Sequence, residues 1–91
     1  MTALDEKPKK RHDIVSHELG DEVMLYDAVH EKVHVLNHTG YFIWKLCDGT
    51  HTLTDLMEKM RSLFPQTSES TIQNDIELAM KDFRQKNLLG T

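Results

Sequence analysis

At 91 residues, with 11 Lys and Arg against 15 Asp and Glu, the chain has a net charge of −4 and the length of one domain. A fold this small buries only roughly 60–65% of its unfolded surface, which leaves little room for a cavity-bound cofactor and favours a binding module over a self-contained enzyme. The acidic balance argues against phosphate-backbone binding, the lone Cys47 excludes an internal disulfide or CxxC zinc site, and no run approaches the roughly 18 apolar residues that cross a bilayer.

Residues 1–12 place Lys7-Pro8-Lys9-Lys10-Arg11 beside Asp5 and Glu6 with almost nothing apolar to bury. They are expected to form a disordered tail ahead of a single domain over residues 13–90. A solvated tail explains the basic run; an electrostatic handle for an acidic partner or a nucleic acid is the alternative. The first 13 residues hold no apolar signal core, and with a single cysteine a cytoplasmic location is expected.

Three short strands are predicted over residues 14–18, 23–27 and 33–37, with Gly20-Asp21 as a turn between the first two. Alternation sets Val23, Leu25 and Asp27 on one face and Met24 and Tyr26 on the other, while Val33, Val35 and Asn37 oppose His34 and Leu36. The second and third strands suit a hairpin with a five-residue connection, so a small antiparallel sheet is expected, apolar on both faces. One face would meet helices and the other something else.

The first helix should start after Asn37, a strong N-cap, and stop near Asp48-Gly49. Ile43, Leu46 and Cys47 form its core face with Phe42 beside them, so Trp44 must pack elsewhere or stay partly exposed. A second helix opens at Thr52-Leu53-Thr54-Asp55, which resembles a capping box, and runs in helical spacing until Pro65. The third, opened by Ser68 or Ser70, runs to about Lys86, where Asn87 tolerates a left-handed end and Leu88-Leu89 fold back. Its core arc is Ile72, Ile76, Ala79, Met80 and Phe83. Leu78 falls outside that arc, on a flank with Thr71, Asp75 and Asp82, and reads either as a stray surface leucine or as one wall of a groove.

Catalytic and metal motifs are weak. His30, His34 and His38 recur every four residues, but in a β-rich stretch four residues span about 13 Å, too far for two imidazoles to share an ion. Cys47 sits on the buried side of its helix with no oxyanion loop or orienting group to pair with His51, and no motif links Asp48, Asp55 and Asp75 as paired acids. No metal and no cofactor are expected.

The stretch Leu36-Asn37-x-Thr39-Gly40-x-x-Ile43-Trp44-x-Leu46-Cys47-Asp48-Gly49 follows a hairpin and precedes a Thr-started helix, Asp75 and a terminal Asn87-Leu88-Leu89. Together these residues resemble the PqqD family over residues 14–89. His38 stands where that family often has proline and Asn87 where glycine is usual, both conformationally compatible. The resemblance implies an α+β, winged-helix-like fold, a small three-stranded antiparallel sheet followed by three helices. It also implies a non-catalytic peptide chaperone that binds the leader of a ribosomally made precursor peptide. Such a protein presents the leader to a modifying enzyme, often a radical S-adenosylmethionine enzyme.

In that family the leader adds as a strand beside the third β-strand and leans on the third helix. Carried onto this chain, Val33, His34, Val35 and Leu36 would offer the ladder, with Thr71, Asp75, Leu78 and Asp82 as the facing wall. The same bare edge could pair with a second copy, so a homodimer stays open. A winged-helix DNA-binding domain is the rival reading, although of the residues opening the third helix only Gln73 and Asn74 suit base edges.

Overall fold

The computed structural model describes residues 6–90. Three strands, β1 (Ile14–Leu19), β2 (Glu22–Asp27) and β3 (Lys32–Asn37), precede three helices, α1 (His38–Leu46), α2 (Leu53–Leu63) and α3 (Glu69–Gln85). The sheet is antiparallel in the order β1-β2-β3, so β3 is an edge strand. The expected α+β architecture of a three-stranded sheet followed by three helices is what the chain adopts.

Turn chemistry sets the strand register. Gly20, at φ 68°, opens the two-residue turn from β1 to β2, a conformation cheap for glycine alone, and Leu19 then faces Glu22. Between β2 and β3 the loop is residues 28–31, one shorter than expected, and Glu31 takes φ 53° before the chain re-enters the sheet at Lys32. Val23, Leu25 and Asp27 point to the helical side and are fully buried, as alternation predicts. Val15, Tyr26, Val33 and Val35 share the opposite, exposed face.

The helices end largely where local chemistry puts them. Asn37 caps α1 by accepting from Gly40 N–H at 2.7 Å, and Thr52 with Asp55 forms a complete capping box on α2. Ser68 caps α3, and Asn87 closes it at φ 57°. The first helix, however, stops at Leu46 with Cys47 as its C-cap; Gly49 takes φ 84° beyond it and donates its N–H to Pro8 O at 3.0 Å. The core joins Val23, Leu25 and Leu36 to Ile43 and Trp44 of α1, Leu56 and Met60 of α2, and Ile72, Ile76, Met80 and Phe83 of α3.

The expectation of a disordered segment over residues 1–12 does not hold for residues 8–11; residues 1–5 lie outside the described part. Lys9 bridges Asp48 and Lys10 bridges Leu89. Lys10 N–H donates to Cys47 O, Arg11 N–H to Leu88 O at 3.1 Å, and Gly90 N–H to Lys9 O at 2.6 Å. This strap covers Trp44, which is buried, donates Nε1–H to Leu88 O at 3.1 Å and carries Lys10 Nζ 5.2 Å from its ring centre. Polar segments stay ordered when their backbone groups find partners, and here the two chain ends supply them to each other.

The strap is pinned by a buried ion pair. Asp27, 1% exposed at the end of β2, receives Arg11 Nη1 at 2.6 Å and Nη2 at 3.1 Å, and also the backbone N–H of His30 at 3.2 Å. Arg11 reaches on to Asp13 and to the carbonyl of Asn87 at 2.9 Å. Its guanidinium holds the Asp27 carboxyl far below the usual carboxylate range, against the opposing cost of burial, with His30 assisting.

Candidate functional site

Beside the free edge of β3 lies an open groove of about 470 Å³. Val35, Leu36 and Asn37 form one side, the first turns of α1 supply Thr39, Gly40 and Ile43, and α3 supplies Asp75, Leu78, Ala79, Asp82 and Phe83. The strand-to-helix junction builds the corner between them. Gly40 keeps it tight, because a Cβ there would come within 3.2 Å of the capping oxygen of Asn37.

The main-chain groups at this edge follow from the register. A two-residue turn makes Leu19 and Glu22 a hydrogen-bonded pair, so Glu22, Met24 and Tyr26 bond β1 while Val23, Leu25 and Asp27 bond β3. Their partners Leu36, His34 and Lys32 are therefore engaged inside the sheet. Val33 and Val35 aim their N–H and C=O groups outward, a ladder at alternate positions with no strand partner among the described residues.

Of the eight residues singled out in the sequence, the groove brings together Val35, Leu36, Asp75, Leu78 and Asp82. Val33 continues the edge beyond it. His34 turns its side chain toward the helical side, where burial, then the nearby charge of Lys86, lowers its pKa; its Nε2 is buried without a partner among the described residues. Thr71 does not join the lining, since its hydroxyl accepts from Ser68 Oγ at 2.8 Å at the start of α3. Sequence reasoning missed Thr39, Gly40 and Ala79 as lining residues. Their small side chains are what leave the space open, a signal present in the Thr39-Gly40 pair and in Ala79 beside Leu78.

The wall is acidic. Asp75 and Asp82 are the charged residues of the lining, and Lys86 already pairs with Asp82 at 3.0 Å. Asp75 has no ion-pair partner among the described residues. Leu78 stands over the groove 56% exposed. The Cys47 thiol lies in the core, donates to Ile43 O at 3.3 Å and is pushed up to about 12 by burial. Among the described residues no three His, Cys, Asp or Glu side chains gather as a metal site, and no helix is long and apolar enough to cross a membrane.

The family model described as coenzyme PQQ synthesis protein D (PqqD) matches residues 22–89, the span from β2 to the refolded end of the chain. No curated protein sequence matches. Among solved structures, the chain is similar to TbiB1 in complex with the TbiA(beta) leader peptide, with a TM-score of 0.75 and 21% identity over 89% of this chain and 93% of that one. That likeness is one of fold.

Proposed function

The chain belongs to the PqqD family, and from that premise we propose that it is a peptide chaperone which captures the leader of a ribosomally made precursor and presents it to a modifying enzyme, such as a radical S-adenosylmethionine enzyme. The observation that carries this reading is the open β3 edge facing an apolar, acidic wall on α3. Binding without chemistry suits a chain whose one thiol is buried and protonated.

In this reading an extended leader adds as a fourth strand. The four outward groups of Val33 and Val35 contribute about 0.5–1.5 kcal/mol each, nearly independent of leader sequence. Selectivity comes from two or three apolar anchors against Leu36, Leu78 and Phe83 at about 1.5–3 kcal/mol each, opposed by roughly 2–5 kcal/mol for ordering the peptide.

The test is titration of ¹⁵N-labelled protein with the leader of a short precursor encoded beside its gene. Amide signals of Val33 and Val35 should shift and become protected from exchange, and Val35→Pro should abolish binding while the protein stays folded, because that N–H has no partner in the sheet. Leu78→Ala should change stability by less than about 0.5 kcal/mol yet weaken binding about tenfold. Indifference of the Val33 and Val35 amides to every leader tried would sink the strand-addition reading.

A further inference from the structure

Past Asp75 the groove does not end. A second cavity of about 200 Å³ lies between the end of α2 and the start of α3, and Thr39 and Asp75 border both spaces. Its floor is core, from Met60 and Ile72, each 2% exposed. Its rim is Phe64, an aromatic 40% exposed at the C-cap of α2. Phe64 is held in place from both sides of its peptide: its N–H donates to Met60 O at 2.8 Å and its carbonyl accepts from Thr67 N–H at 3.0 Å. A half-open aromatic on an anchored backbone over an apolar floor suits an apolar side chain.

Charge tells which molecule fills it. Asp75 borders both cavities, unpaired among the described residues, whereas Asp82 lines only the first and is already matched by Lys86. Resting on the leader-binding reading above, we propose that the leader spans both cavities. One apolar residue seats against Leu78 and Phe83, a Lys or Arg pairs with Asp75, and a second apolar residue enters the cavity under Phe64. The recognised sequence therefore reads apolar, basic, apolar, and the second cavity decides which precursor is accepted.

The full chain, immobilised, is used to select from an mRNA-display library of short random peptides, and enriched peptides are titrated by fluorescence anisotropy against variants. Enriched peptides should carry a Lys or Arg flanked on both sides by apolar residues. Phe64→Ala, which removes the rim, and Thr67→Trp, which fills the space, should each weaken them about tenfold with unchanged circular dichroism. Asp75→Lys should shift the preference to peptides with Asp or Glu at the central position. Enriched peptides that fail on Val35→Pro but bind Phe64→Ala and Thr67→Trp within about twofold of the parent would overturn the second cavity and leave strand addition intact. Peptides indifferent to Val35→Pro, or no enrichment at all, would overturn strand addition itself and the second cavity with it.

Discussion

Asp27 is a charged residue with almost no solvent contact, and it is tolerated because every lone pair it turns inward meets a donor from Arg11 or His30. The alternation of β2 had put it on the core face, but its partner could not be read from the sequence, since Arg11 lies 16 positions away in a segment with no regular pattern. Linkage makes the pair visible to pH. A carboxyl held low in the folded state adds stability that is present above its unfolded value near 4 and is lost as pH falls through its folded value. Arg11→Ala raises that folded value, and that of Asp13 with it, so acid unfolding should begin at higher pH. Circular dichroism followed from neutral pH downward checks this; an unmoved acid transition would show that the pair does not contribute.

At the level of elements, β3 is both part of the sheet and an unfinished edge, and the two roles alternate along it. Leu36 turns its main chain to Val23 and its side chain, 6% exposed, into the core, whereas Val35 turns its main chain outward. Proline at the two neighbours should accordingly have opposite consequences. Leu36→Pro loses a ladder bond and a core side chain together, at a cost of about 3 kcal/mol or more, and should melt far below the parent in a thermal scan, while Val35→Pro should melt near it. Equal melting of the two would mean the register is shifted by one. Capping chemistry made Asn37 and Thr52 legible as helix starts and narrowed the third to Ser68 or Ser70, because each cap is a local bond to a backbone N–H three residues on. The end of α1 was less legible, because what stops it is the strap crossing at Cys47 and Gly49, not the glycine alone.

Across the whole molecule, the first and last described segments lock together over Trp44. Deleting residues 1–12 removes the backbone bonds of Pro8, Lys9, Lys10 and Arg11. At about 0.5–1.5 kcal/mol for each of these four, the loss is about 2–6 kcal/mol, or a fall of roughly 10 °C or more in melting temperature for a domain of this size. Calorimetry on the truncated chain checks it. An unchanged melting temperature would return residues 8–11 to the role of a solvated tail. No strap residue lines the groove, so any affinity loss in that variant should follow the loss of fold.

The sequence by itself determined the order of elements, the helix caps, the core arc of α3 and the exposure of Leu78, because each is set by contacts or periodicities within a few residues. Helical spacing also put Asp75, Leu78 and Asp82 on one flank of α3, and the family resemblance pointed to the edge of β3, Leu36 included. Only the tertiary structure decided that Val33 and Val35, not His34 and Leu36, present the open ladder, and that the basic run is a strap held by Asp27 and the chain's end. Those outcomes depend on turn geometry propagated through two hairpins and on pairings across more than seventy residues, and no local signal carries either.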